Sequence, residues 1–208
     1  MEILKLIGML IEYPDDALWQ HQDELRSLAE QQQPALLPFI NQYLATPPLD
    51  MQADWCALFE RGRATSLLLF EHVHAESRDR GKAMVDLPAQ YEQAGLQLNW
   101  RELPDYLRLY LEYLSPREAS AARPGVLDIA PILALLGGRL KERESAFSEL
   151  FDALLTIAHS PLRRQIVAQQ VATEDLDYTR HALDAAWQEA HVQFHAVHAS
   201  VNLAQRPQ

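Results

Sequence analysis

Residues 53–87, ADWCALFERGRATSLLLFEHVHAESRDRGKAMVDL, set an unbroken apolar run between two dense clusters of charge. At a helical advance of about 100° per residue, Leu67, Leu68, Leu69 and Phe70 point in four directions. A helix through them is apolar all round and has to lie in a core or under a partner. Its ends carry Arg61 and Arg63 on one side and Glu71, His72, His74, Glu76, Arg78, Asp79 and Arg80 on the other. Such charges are rarely buried without partners. The stretch reads either as a central core helix with ion-paired ends or as a functional cluster.

Working outward, the flanks are helical. Towards the N-terminus, Ile3, Leu6, Ile7, Leu10 and Ile11 recur at i, i+3, i+4, i+7 and i+8, the apolar face of a first amphipathic helix. Lys5 interrupts that stretch and Glu2 stands where a signal peptide carries positive charge, so it reads as a core element and not as a targeting segment. Pro14 with Asp15 and Asp16 suits a break and an acidic helix start, and Leu18, Leu25 and Leu28 form the apolar stripe of the second helical stretch. Pro34 opens a short helix through Leu44, and Thr46–Asp50 is a turn. Beyond the central stretch, Met84, Leu87, Tyr91 and Leu96 keep helical spacing. Glu102–Leu114 predicts a helix with a stripe of Leu103, Leu107, Tyr110 and Leu114, widened by Tyr106, Leu109 and Tyr113.

Ser115–Asp128, with two prolines, a glycine and small polar residues, reads as a linker between two helical portions. After it Pro131 sits in a helix's first turn, and Gly137 and Gly138 suggest a close backbone approach or a bend. A helix ending at Pro161, another through Val171 and a long last one from Asp175 or Asp177 complete the chain. No alternating β-branched run occurs, so the 208 residues predict an all-α, single-domain helical bundle of about eight to ten helices.

Composition narrows function. A net charge of −11 argues against nucleic acid or an anionic membrane surface as partner. The single cysteine, Cys56, excludes an internal disulfide and clustered-cysteine metal sites, and fits the cytoplasm. In the last helix His191, His195 and His198 fall on the flank of its apolar face, and HVQFH lacks the glutamate of a zinc-protease motif. Glu71 and His74 form one Glu-x-x-His pair, whereas a di-iron bundle needs two. No catalytic constellation is visible.

Three long segments nonetheless carry a resemblance: FERGRATSLLLFEHVHAESRDRGKAMVDL at 59–87, ELPDYLRLYLEYL at 102–114 and DIAPILALLGGRLKERES at 128–145. With LIGMLIEYPDDALW at 6–19 and LDAAWQEAHVQF at 183–194, they closely resemble the nitrate reductase delta subunits, the molybdenum cofactor assembly chaperones of respiratory nitrate reductase. The wider family is helical and recognises the N-terminal leader of a molybdoenzyme catalytic subunit. Trp55, Leu58 and Phe59 match its aromatic-x-x-Leu-Phe pattern, and Glu102, Pro104 and Asp105 match its Glu-x-Pro-Asp-His stretch, with Tyr106 in place of the histidine.

The resemblance implies a non-enzymatic chaperone in the cytoplasm. It would hold the N-terminal segment of the apo catalytic (alpha) subunit of respiratory nitrate reductase, keeping it competent for molybdenum cofactor insertion and membrane assembly. The chaperone itself would hold no cofactor stably, since the cofactor goes into the partner. Molybdenum cofactor biosynthesis proteins are further partners it implies. A helix-forming leader needs a groove of apolar anchors flanked by charge. The expected peptide-binding residues are Leu58, Phe59, Arg63, Leu69, Phe70, Glu71, His72, His74, Glu102, Asp105, Tyr110 and Tyr113. Protonation of His72 and His74 near pH 6 to 7 is expected to tune affinity. The alternative from another class is a helical metal or redox enzyme built on Glu71, His72 and His74.

Overall fold

The computed structural model describes residues 1–72, 78–98, 103–162, 167, 171–179 and 182–184, with backbone alone at 78–83. Among these residues ten α-helices succeed one another: α1 (Glu2–Ile11), α2 (Asp16–Gln20), α3 (Gln22–Gln32), α4 (Leu37–Ala45), α5 (Pro48–Phe59), α6 (Arg78–Gln93), α7 (Leu107–Leu114), α8 (Ala119–Asp128), α9 (Ala130–Glu142) and α10 (Ser148–Ile157). Short 3-10 turns occupy Pro34–Leu36 and Leu69–Glu71. The extended pairing among the described residues is one antiparallel bridge, Leu68 to Tyr106. The chain is all-α. No single described helix is long and apolar enough to cross a membrane.

The central helix is α1. Leu4 is as deeply buried as Leu6, Ile7, Leu10 and Ile11, so burial extends beyond the single face the spacing predicts. It packs on α7, α3 and α10. Gly8 lets α7 approach, for a Cβ there would already touch the Arg108 stem and Leu111 at 3.6 and 3.7 Å. Pro14 stops the helix and the Asp15 carboxylate accepts the Ala17 N–H at 2.8 Å, capping α2 as the acidic pair predicts. α9 and α10 form the second tight pair, where Gly137 brings α9 against Phe151. A run of ring contacts ties the periphery to this frame. Trp55 of α5 lies 5.4 Å from Phe59, Phe59 5.4 Å from Phe147, and Phe147 5.6 Å from Phe39 of α4.

Three expectations are corrected. The helix predicted through Leu67–Phe70 does not form: α5 ends at Phe59, and residues 60–68 are a loop with Gly62 at φ +86°. In the apolar run Leu68 is extended and Leu69 opens the 3-10 turn, which leaves Leu67 and Leu69 buried and Leu68 and Phe70 half-buried. Ser115–Asp128 is not a linker, since most of it is α8. Ala122 and Val126 of α8 are fully buried, and Gly125 offers its carbonyl to the Tyr110 hydroxyl at 3.1 Å. Tertiary burial here outweighs the helix-breaking tendency of Pro124. Finally, α7 begins at Leu107 and not at Glu102, because Leu103–Tyr106 turns to make the bridge with Leu68. Most of the expected last helix, with His191, His195 and His198, lies outside the described residues.

Candidate functional site

The loop between α5 and α6 is where the chain's polar chemistry collects. Its near end is closed by Arg143, just after α9. The guanidinium donates to the Leu58 carbonyl at 3.2 Å and to the Thr65 hydroxyl at 2.9 Å, and Thr65 itself donates to the same carbonyl. A cation at the C-terminal carbonyls of α5 also suits the helix dipole. One turn earlier, Arg139 donates to the Ala64 carbonyl at 2.8 Å and to Nδ1 of His72 at 3.2 Å. An arginine can only donate, so Nδ1 accepts and the His72 proton lies on Nε2, which donates to the Ser66 carbonyl at 2.7 Å. Burial holds the His72 pKa below its ordinary value. The Arg139 charge adds to this, and the Ser66 carbonyl opposes it.

The far end of the loop is fixed by Asp105. Its carboxylate accepts the Phe70 N–H at 3.1 Å and its carbonyl accepts the Leu69 N–H at 2.9 Å. Leu107 N–H donates back to the Leu67 carbonyl at 2.9 Å, and the buried Tyr91 hydroxyl donates to the Pro104 carbonyl at 2.8 Å. The Pro-Asp pair is thus a clasp on the apolar run. Tyr106 donates to Glu12 at 2.9 Å, and Glu12 also pairs with Arg108 at 3.0 Å, joining the start of α7 to the end of α1.

Beside the loop opens a cleft of about 370 Å³, walled by Phe39 and Tyr43 of α4, Met51, Asp54 and Leu58 of α5, and the Arg143–Phe147 turn. Its volume is that of a site for one or two bulky side chains. Asp54 and Glu144 are exposed on it, and no positive side chain other than the engaged Arg143 lines it among the described residues.

The twelve expected peptide contacts are therefore dispersed. Leu58 walls the cleft. Arg63 and Glu71 are exposed, and Phe70 and Tyr110 are half-buried. Phe59, Leu69 and Tyr113 belong to the core, with the Tyr113 hydroxyl donating to Gln90, so a peptide docking on the closed surface does not reach their packed faces. Asp105 is 1% exposed and serves the backbone. His72 is engaged by the Ser66 carbonyl and Arg139 through its two ring nitrogens. His74 and Glu102 lie outside the described residues. Sequence reasoning missed Met51, Asp54 and Glu144, which carry no motif. It also missed Arg139 and Arg143, whose i, i+4 spacing next to an apolar helix was the available signal.

A sequence profile of the nitrate reductase delta subunit family matches residues 22–153. The chain is 58% identical over 194 residues to a probable nitrate reductase molybdenum cofactor assembly chaperone, NarW, of Escherichia coli (strain K12), covering 93% of this chain and 84% of that one. It is 54% identical over 200 residues to the nitrate reductase molybdenum cofactor assembly chaperone NarJ of the same strain, covering 93% and 85%. A probable chaperone of the same description from Bacillus subtilis (strain 168) is 28% identical over 154 residues, covering 72% and 84%.

Proposed function

The chain belongs to the nitrate reductase delta subunit family, and from that premise we propose that it is an assembly chaperone for a respiratory nitrate reductase. It binds the N-terminal leader of the apo catalytic subunit and holds that subunit open for molybdenum cofactor insertion before membrane assembly. The observation that supports the reading is kinship along 93% of the chain to two relatives named as nitrate reductase molybdenum cofactor assembly chaperones, one of them as a probable one. The role is one of binding, not catalysis, in the cytoplasm, with the cofactor destined for the partner; proteins that make the cofactor are natural further partners.

The cleft between α4, α5 and the Arg143–Phe147 turn supports this reading by its chemistry. It offers aromatic and aliphatic walls to an apolar anchor of a leader helix, and two exposed carboxylates to a basic neighbour. Leu58, Phe70 and Tyr110 are the expected apolar contacts still within reach, and Arg63 and Glu71 the charged ones. Calorimetric titration with the N-terminal peptide of a nitrate reductase catalytic subunit tests it. Leu58→Ala should weaken binding by about 2 kcal/mol, roughly thirtyfold, with nearly unchanged thermal unfolding. Unaltered affinity in a folded variant would move the groove elsewhere, and no binding by the parent chain would remove the leader reading.

A further inference from the structure

The loop at 61–66 is shaped around a carboxylate that the chain itself supplies. Both oxygens of Asp177 are held, Oδ2 by the Ala64 N–H at 2.6 Å and Oδ1 by Arg143 Nη2 at 2.8 Å. Gly62 adopts φ +86°, and a Cβ on it would collide with Asp177 Oδ2, so a side chain there would take the space the anion fills. Next to it, Arg139 grips Glu174 through both arms of its fork, at 2.6 and 2.8 Å. Backbone N–H beside a left-handed glycine, with two guanidiniums, is the chemistry that holds phosphate oxygens.

The cations and the anions of this cluster belong to different parts. The arginine side chains are 16% and 9% exposed and anchored to α9 and the loop, whereas Glu174 and Asp177 are 28% and 30% exposed on the 171–179 strap. On that strap Val171 is buried and the Tyr178 ring lies under the Arg143 guanidinium. Leu176 is 56% exposed, and a small cavity of about 40 Å³ lies beside the ion pairs, lined by both the strap and the arginines. Two ion pairs tie the strap to the arginines, and another dianion can compete for those same guanidiniums.

We propose that the Arg139–Arg143 cradle is a binding site for a compact phosphate-type polyanion, occupied in cis by Glu174 and Asp177, and that such a ligand displaces the strap. Two adjacent phosphate groups satisfy both guanidiniums and the Ala64 N–H, as the two carboxylates do now. A small anion fits better than an acidic macromolecule, which the chain's net charge of −11 repels. The inference does not depend on the leader cleft.

Inorganic pyrophosphate, titrated into the full chain at constant ionic strength, is the probe, read by calorimetry and by hydrogen exchange of the 61–66 and 171–179 segments. Saturable binding with faster exchange in 171–179 is expected. The Glu174→Gln, Asp177→Asn double variant should bind about tenfold more tightly, because the strap no longer competes. Arg139→Gln, shown by its unfolding transition to be folded, should lose the binding. The proposal is overturned if neither the parent nor the double variant binds saturably at about 10 mM, a concentration at which even weak sites fill. It is equally overturned if Arg139→Gln binds as the parent does, or if sodium chloride alone reproduces the exchange.

Discussion

Asp105 shows how much one side chain can organise. It is buried, its Oδ2 satisfies Phe70 N–H, and its Oδ1 has no partner among the described residues. Asp105→Ala leaves the Phe70 N–H without its acceptor, a loss of about 1–3 kcal/mol that urea unfolding will register as a lower midpoint with an unchanged slope. His72 yields a second prediction. Its pKa is held below the ordinary value by burial first and by Arg139 next, so the folded chain binds fewer protons than the unfolded one as the pH falls below about 6.5. The stability that neutral His72 contributes is whole above that pH and declines below it, down to the folded-state value. Denaturant midpoints measured between pH 7.5 and 5.5 should fall, and His72→Gln should flatten the fall. The same downward shift moves any change in peptide affinity linked to His72 protonation to lower pH than an ordinary imidazole would give; the companion expectation, His74, lies outside the described residues.

Among the elements, the α9–α10 pair is the most sensitive to volume. A Cβ on Gly137 would stand 3.1 Å from the Phe151 Cβ, an atom fixed by its own backbone, so the helices must part to admit it. Gly137→Ala gains about 1 kcal/mol of helix propensity and loses about 1–3 to overpacking, so a net loss is expected. Gly125→Ala meets the methyl ends of Leu114, which can rotate away, and should cost less. Thermal unfolding of the two variants side by side checks the order. The same pair shows what periodicity conveys: Gly137 and Gly138 were legible as a close approach because an apolar helix tolerates glycine where a neighbour presses on it. α8 was not legible, because Pro124 and Gly125 carry the local signature of a loop and only burial of Ala122 and Val126 overrides it.

For the whole molecule, the proposed leader binding divides into steering of a basic leader by the charge of −11 and the exposed Asp54 and Glu144, and retention by the apolar walls of the cleft. Exposed pairs contribute about 0–1 kcal/mol each and are screened over about 8 Å at physiological salt. Raising sodium chloride from about 50 to about 500 mM should slow association and shift the dissociation constant less than about tenfold. Stopped-flow and calorimetric titrations will separate the two, and a hundredfold loss of affinity would make the cleft chiefly electrostatic. The sequence by itself determined the all-α class, the deep α1, the Asp15 cap and the family, because each is written in residues a few positions apart or in long matching segments. The tertiary structure alone decided that Leu67–Phe70 is a clasped bridge and 3-10 turn, not a helix, and that the surrounding loop is pinned by arginines. The partners are 35 residues away for Phe70 with Asp105, 75 for Ala64 with Arg139 and 113 for Ala64 with Asp177. A backbone N–H takes its acceptor from whatever folding brings near, and no local spacing of apolar residues records which one that will be.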